Sequence, residues 1–520
     1  MRRTIFLAVA ATTLLLTATA TAWAGDILQL KDGRFVEGVP LEIDGDHIVL
    51  KYESVPVRIP LDRVEDYSIE GAEPPEAKTD EEREKRASGL VRFNRRWVTA
   101  KQRLALIKKK RDAHRAEMED LRAHQEWRNR YRFSTKHFEF ESTLPPSLNE
   151  KYSKLLEAYF TKFKKVWKTK VPKEWGKLKV CFYHDRDTFE RTAGVSGGVQ
   201  AYYRFVEPRE LDFFYDVLAP DDTIGAMLHE ANHYLTDLLS DDFQYPHWIN
   251  EAMAEYWASA RWDPDTKKWQ IGGVQEGRLV ELKSDLDKQE WYGLRYLLSN
   301  ESKDYKHYYW GWSFVHFMLE TKEYEKRFRD FFTALSRAKG VERKRGSYNF
   351  KRVSGEESLR LFLQRMKLKE SDLPALEDQW RAYIDGQKST GPRGLGKAGI
   401  SAFRSNRRLR AKRLLGEAIA AGSDDVVVHL RYAQLLRGDP GGLAQSEKLL
   451  RRASELAPLT ARVWAELGYT IYLQKRVDEG KKYVALAREM DPDDPYLLIE
   501  IHDALVEHAE ERAKKKAGGE

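Results

Sequence analysis

The spacing of apolar and polar positions changes several times along the chain, and each change predicts a different kind of element. Residues 26–71 alternate with a period of two and contain Asp32-Gly33 and Asp44-Gly45, which favour tight hairpin turns. This pattern predicts a small, barrel-like antiparallel β-module over residues 25–72. Residues 73–133 then predict a hairpin followed by a charged helical spacer, because their apolar positions are sparse.

The middle of the chain predicts a domain of mixed α+β class over residues 134–385. A helical apolar stripe over 148–167 lies among four strand-like segments, which are 136–142, 178–184, 199–205 and 211–217. A further helix is predicted to begin near Pro220, with an inward stripe formed by Ile224, Met227, Leu228, Ala231 and Leu235. A sheet therefore precedes this helix in the predicted domain.

The C-terminal part predicts paired helices behind a Gly-rich segment. The composition of residues 386–400 is typical of a flexible linker. Residues 401–508 resemble tetratricopeptide (TPR) repeats, with matching positions at Trp464, Leu467, Gly468, Val484, Ala487 and Pro492. The resemblance implies an α-solenoid, which serves either as a docking surface for a protein partner or as a cap on the preceding domain. Residues 509–520 form a charged tail.

The first residues have the features of an export signal. Arg2 and Arg3 precede an apolar run that is shorter than the about 20 residues a membrane span needs, and Ala22-Trp23-Ala24 fits a cleavage site. We predict a signal peptide over residues 1–24, a periplasmic or extracellular location, and no transmembrane segment after cleavage. An uncleaved membrane anchor is the alternative.

Composition narrows the range of functions. The 520 residues are 42% hydrophobic and 33% charged, which is typical of a folded globular chain. A formal net charge of +7, to which Arg2 and Arg3 contribute two, is too small at this length to indicate a nucleic-acid partner. The one cysteine, Cys181, excludes an intramolecular disulfide, and its apolar strand predicts an inert core position.

The stretch "MLHEANHYL" (227–235) contains His-Glu-x-x-His on the predicted helix. His229 and His233 are one turn apart and project from the same face, so both imidazoles can converge on one metal ion. Glu230 lies beside them and is the candidate catalytic carboxylate. The pentapeptide alone does not define a metal site, since a third ligand is required.

A second helix supplies the third candidate ligand. Glu251 follows His233 by eighteen positions, beyond a turn near Pro246, and would complete a His₂Glu zinc site with its fourth position open. Glu255 lies four residues later on the same face, where it can accept the free ring N–H of a ligating histidine. Glu255 in place of Glu251 is the alternative ligand, and His247 is expected at the surface or rim.

The pair "HEANH" and "WINEAMAEYW" resembles the gluzincin metallopeptidases, and the later "YYWGWSFVHFM" adds a resemblance to secreted bacterial peptidase MA-like domains. The resemblance implies a zincin-like core that holds Zn²⁺ and cleaves a peptide or protein substrate. It assigns His229, His233 and Glu251 as metal ligands and Glu230 as general base. A tyrosine steadies the oxyanion in related peptidases, so Tyr308 is a candidate catalytic residue, with a core aromatic as the alternative.

Two other functions fit the same residues. One is an exported, non-catalytic zinc-binding scaffold whose TPR-like repeats bind a protein partner, and the other is a zinc hydrolase of non-peptide amides. The presence of Glu230 favours hydrolysis, because a structural zinc site does not need that carboxylate. For a peptidase, we expect the strand "LDFFYDV" (211–217) to pair with an extended substrate.

Overall fold

A computed structural model describes residues 26–31, 34–69, 77, 79–93, 96–195, 198–240, 242–263, 265–345, 348–388 and 391–491. The chain divides into two compact units, Met1–His114 and Arg115–Glu520. The predicted signal peptide, the charged tail and the end of the predicted repeats lie outside the described residues. None of the helices described is both long and apolar enough to cross a membrane. The fold is mixed α+β, as predicted, with small sheets and a helical C-terminal stretch.

Short antiparallel strands dominate the first unit. They are β1 (Ile27–Leu30), β2 (Phe35–Glu37), β3 (Leu41–Asp44), β4 (His47–Leu50), β5 (Val57–Pro60) and β6 (Val64–Ser68). They form two sheets, with orders β2-β1-β6 and β3-β4-β5. Gly45 in the β3–β4 turn has a φ of 60°, which glycine adopts without strain, and the predicted hairpin is present there. The predicted hairpin and charged helix follow, as α1 (Asp80–Ala87), β7 (Leu90–Phe93), β8 (Arg96–Thr99) and α2 (Ala100–His124).

A five-stranded sheet begins the second unit. Its strands are β9 (Tyr131–Ser134), β10 (Phe138–Ser142), β11 (Leu178–Tyr183), β12 (Ala201–Arg204) and β13 (Glu210–Phe214), in the order β12-β13-β11-β10-β9. The three central strands are parallel, and each outer strand is antiparallel to its neighbour. Helices α3 (Pro146–Trp167) and α4 (Arg186–Ala193) pack on opposite faces, which explains why β11 and β13 are buried along almost their whole length.

The position of β13 corrects one expectation. The predicted substrate strand, 211–217, includes most of β13, but β13 pairs with β11 on one side and with β12 on the other. It therefore has no free edge for a substrate. Its apolar pattern indicates a buried strand and carries no information about the order of strands in the sheet. The edge strand on this side of the sheet is β12.

Helices fill the rest of the second unit's core. They are α5 (Pro220–Asp237), α6 (His247–Ala258), α7 (Glu276–Asp287), α8 (Leu294–Ser299), α9 (Trp310–Glu320), α10 (Glu325–Leu335), α11 (Gly355–Met366) and α12 (Leu373–Gly386). Two hairpins lie between them, β14 (Arg261–Asp263) with β15 (Lys268–Gln270), and β16 (Val341–Arg345) with β17 (Tyr348–Arg352). Pro220 occupies the first turn of α5, where a missing N–H costs nothing. The apolar stripe of α5 then packs into the core, so its other side faces a cleft.

The C-terminal stretch consists of α13 (Gly391–Arg404), α14 (Arg408–Ala420), α15 (Val426–Arg437), α16 (Leu443–Leu456), α17 (Ala461–Leu473) and α18 (Val477–Met490). Consecutive helices pack as pairs where repeats are predicted. The flexible linker predicted for 386–400 is wrong, since most of it is helix α13 packed on α14 and α7. Its glycines allow close packing: a Cβ on Gly399 would lie 2.8 Å from the Leu415 side chain.

Candidate metal centre

Helices α5 and α6 bring the predicted ligands together. His229 and His233 lie one turn apart on α5, with ring centroids 5.0 Å apart. The chain then turns at Pro246, and α6 packs against α5 with Glu251 on the facing side. The ligand atoms of these three residues all lie within 4.8 Å of one another.

The Glu251 carboxylate faces both histidines through one oxygen. Its Oε2 lies 3.3 Å from His229 Nε2 and 3.7 Å from His233 Nε2. This oxygen is buried and makes no hydrogen bond of normal geometry within the described part of the chain. A buried carboxylate oxygen needs a strong partner, and a cation bound by the two imidazoles supplies one. The donor set therefore fits a divalent metal such as zinc.

The electrostatics of the centre favour a positive charge. Burial opposes protonation of His229, but the Glu251 carboxylate 3.3 Å away and the charges of Glu230 and Glu255 outweigh it and raise the pKa of His229 to about 9. Burial also opposes ionisation of Glu251, yet His233 and His229 hold its pKa well below the usual range. Glu251 is therefore an ionised carboxylate, and its charge attracts a proton to His229.

Glu230 lies beside the ligands in the cleft. The backbone N–H of Tyr203, in the edge strand β12, donates to Glu230 Oε2 at 3.0 Å. Burial raises the pKa of Glu230 above its ordinary value. The carboxylate is thus fixed through one oxygen and made more basic than a solvated glutamate.

Glu255 lies behind His229, where sequence reasoning places it. Its Oε1 is 3.7 Å from His229 Nδ1 and accepts a hydrogen bond from Arg278 at 2.6 Å. Gln275 Nε2 donates to the other carboxylate oxygen at 3.1 Å. Arg278 and Gln275 were not identified from the sequence, because they lie on or near α7 and no local motif connects them with α5.

Tyr308 lies beside His229 at the candidate metal centre. Its ring lies parallel to that of His229, with centroids 6.1 Å apart, and the Arg278 guanidinium lies 5.1 Å from its centroid. Burial, together with the nearby charge of Glu251, raises the pKa of Tyr308, so its hydroxyl remains protonated at neutral pH. The side chain lines the cleft, as a candidate oxyanion donor must.

His247, expected at the rim, is closer to the ligands than that expectation implies. It is the first residue of α6, and its Nε2 lies 3.7 Å from Glu251 Oε1. Its Nδ1 lies 2.9 Å from Nδ1 of His307, which is fully buried. Burial, and then the neighbouring His247, lowers the pKa of His307 to about 4, so this ring is neutral at pH 7. No local pattern points to His307, because it lies in a turn sixty residues after His247.

A cavity of about 350 Å³ is lined by His229, Glu230, Glu255 and Tyr308. One wall contains Ala201 of β12 together with His229 and Glu230. Helices α7 and α13 also line the cavity, and the α13 residues are Lys397, Ala398, Ser401 and Arg404. The C-terminal stretch therefore contributes to the cleft itself.

The C-terminal helical stretch also contacts the loop that leads into α5. Leu218 packs among apolar residues of α13 to α17, while Arg404 pairs with Asp216 at 3.2 Å and with Asp222 at 2.9 Å. This packing supports the cap alternative for the helical stretch. Docking of a protein partner stays a prediction.

Cys181 is buried in β11, and burial raises the pKa of its thiol. Glu210 and Asp212 lie near it. Lys179 Nζ already lies 3.1 Å from Glu210, and the Tyr183 hydroxyl donates to Asp212 at 2.9 Å. These contacts agree with the expectation of an inert core cysteine.

One family model matches part of the chain. It is described as a protein of unknown function (DUF1570) and matches residues 223–342. The matched segment contains the predicted ligands, Glu230, Glu255 and Tyr308. The search of curated proteins found no match to the chain.

Proposed function

We propose that the chain is a zinc-dependent metallopeptidase in which His229, His233 and Glu251 hold Zn²⁺. One observation carries the proposal: two imidazole nitrogens and one buried carboxylate oxygen converge within 4.8 Å on two packed helices. Hydrolytic zinc sites use this kind and number of ligands and keep a fourth position for water or substrate.

Bound zinc supplies Lewis acidity, which lowers the pKa of a water molecule and polarises a carbonyl group. Proton transfer is the task of the chain's own residues. Because the Tyr203 N–H holds Glu230 Oε2, the other oxygen is free to take a proton from the attacking water and return it to the leaving amine. The Tyr308 hydroxyl, kept protonated by its surroundings, is the proposed donor to the oxyanion.

The cleft suits an extended peptide. The edge strand β12 borders the cavity and is the proposed strand for pairing with an extended peptide beyond the Tyr203 N–H that Glu230 holds, and α13 also lines the cleft. We assign the sheet, α5 and α6 to a zincin-like core of gluzincin type, and α15 to α18 to TPR-like repeats. Export through the predicted signal peptide completes the proposal.

The first test is metal content, measured by mass spectrometry on the purified mature chain with His233→Ala and Glu251→Ala variants. We expect one zinc per chain, lost in both variants but kept in His124→Ala, which alters a histidine of α2 outside the centre. Hydrolysis of a peptide library should disappear together with the zinc. Absence of zinc after reconstitution would overturn the proposal, and bound zinc without any hydrolysis would favour the scaffold.

A further inference from the structure

Two imidazoles connect Glu251 with a buried amide. His247 Nε2 faces Glu251 Oε1 at 3.7 Å, and His247 Nδ1 meets His307 Nδ1 at 2.9 Å. On its far side, His307 Nε2 lies 3.2 Å from Asn300 Nδ2. A contact between two ring nitrogens requires one to donate and the other to accept, so the pair has a direction.

Asn300 sets that direction. Its Oδ1 accepts a hydrogen bond from the Ser302 backbone N–H at 2.8 Å, which turns its Nδ2 towards His307. An amide nitrogen only donates, so His307 Nε2 must accept, and the single ring proton of neutral His307 lies on Nδ1. His307 Nδ1 then donates to His247 Nδ1.

The hydroxyl of Tyr292 is compatible with this direction. It lies 3.1 Å from His307 Nε2, but it accepts from Asn300 Nδ2 at 2.8 Å and donates to Asp304 at 3.0 Å. Its proton is therefore directed to the Asp304 carboxylate and does not compete for the ring.

We propose that Asn300, His307 and His247 form a directional hydrogen-bonded relay that keeps the His247 proton on Nε2 and so positions the Glu251 carboxylate for metal binding. The inference rests on the proposed function, because it treats Glu251 as a ligand. All three are positioning residues. None of them is proposed to touch the substrate.

The relay acts on the rotation of one carboxylate. Glu251 Oε2 faces His229 and His233, and Oε1 faces His247. A ring N–H directed at Oε1 attracts that oxygen and leaves Oε2 for the metal. A ring with its lone pair on this side would repel Oε1 instead. Outer partners of metal ligands typically change metal affinity by about 10–100-fold when they are removed.

The direction can be measured without metal. In the full-length chain labelled with ¹⁵N-histidine, long-range ¹H–¹⁵N spectra report which nitrogen of each ring carries the proton, and His247→Gln and His307→Gln variants assign the signals. We expect His247 protonated at Nε2 and His307 protonated at Nδ1. A proton on His247 Nδ1 would overturn the relay, whether or not the chain binds zinc.

The effect of the relay on Glu251 as a zinc ligand is tested by zinc affinity, which chelator competition measures. His307→Leu removes both hydrogen-bonding atoms and should weaken zinc binding by about 10–100-fold. His307→Gln keeps a donor and an acceptor and should bind zinc close to the unmodified chain. Equal affinities for the two variants, with unfolding temperatures also equal, would contradict the relay. If the unmodified chain binds no zinc, the proposed function fails, and the tautomer measurement still decides the relay.

Discussion

Glu230 and Glu251 belong to the same centre, yet their surroundings shift their proton affinities in opposite directions. Burial raises the pKa of Glu230, whereas for Glu251 the two histidines outweigh burial and lower the pKa. Titratable pairs separated in this way often divide acid–base roles between them. Glu251 is suited to remain an ionised ligand, and Glu230 is suited to exchange a proton.

This division predicts that Glu230→Gln retains zinc but loses hydrolysis. The amide preserves size and keeps an oxygen for the Tyr203 N–H, but it cannot accept the proton from water. Turnover should fall by about 10²–10⁴-fold, which is the usual contribution of a general base. Steady-state peptide hydrolysis at full zinc occupancy measures it, with Glu139→Gln on the exposed side of β10 as control. Undiminished turnover would remove Glu230 from the mechanism.

The raised pKa of His229 predicts that zinc binding depends on pH. Below about pH 9 the metal-free His229 carries a proton, and zinc must displace it because a ligating imidazole is neutral. Apparent zinc affinity should therefore rise about tenfold per pH unit between pH 7 and 8.5, with release of about one proton. Calorimetry in buffers of different ionisation enthalpy measures both quantities. Affinity that is flat across this range would contradict the assignment.

At the scale of helices, the contact between α6 and α9 controls where Glu251 lies. A Cβ on Gly311 of α9 would lie 3.0 Å from the Trp248 carbonyl oxygen and 3.2 Å from Ala252 Cβ. Gly311→Val should therefore push the helices apart, lower the free energy of unfolding by about 1–3 kcal/mol and weaken zinc binding.

Urea unfolding and chelator competition test this prediction. Gly386→Ala is the matched control, because a Cβ there meets nothing within 4 Å. If Gly311→Val is as stable and binds zinc as well as Gly386→Ala, the close helix contact does not matter for the site.

Local patterns predicted the elements well and their long-range placement poorly. Strands β10 and β11 and helices α3 and α5 follow their apolar periodicity, and His229 and His233 converge because a helix fixes their spacing. The glycines of residues 386–400 predict a flexible linker, but most of this segment is helix α13. Glycines indicate flexibility only where nothing packs on them, and Leu415 packs against Gly399. Arg278 and His307 were missed because tertiary packing alone brings them to the centre.

At the scale of the whole second unit, the C-terminal stretch supports the start of the motif helix through Leu218. Leu218→Ala should lower the free energy of unfolding by roughly 1–3 kcal/mol, less than for a fully buried leucine, because the side chain is half-buried. Its neighbour Val217 is 72% exposed, so Val217→Ala is a matched control with little expected effect. Equal stability of the two variants, measured by chemical unfolding, would show that the stretch does not support this loop.

Zinc should stabilise one unit selectively, because all three proposed ligands lie within Arg115–Glu520. A ligand that binds only the folded state adds about 4 kcal/mol of stability at a thousand times its Kd. Hydrogen exchange in α5 and α6 should therefore slow markedly when zinc is added, while exchange in β1 to β6 stays unchanged. In the His233→Ala chain, added zinc should not slow exchange in α5 and α6. Equal slowing of exchange in both units would indicate a general effect of the metal. Slowing confined to α5 and α6 would indicate binding at the α5–α6 centre.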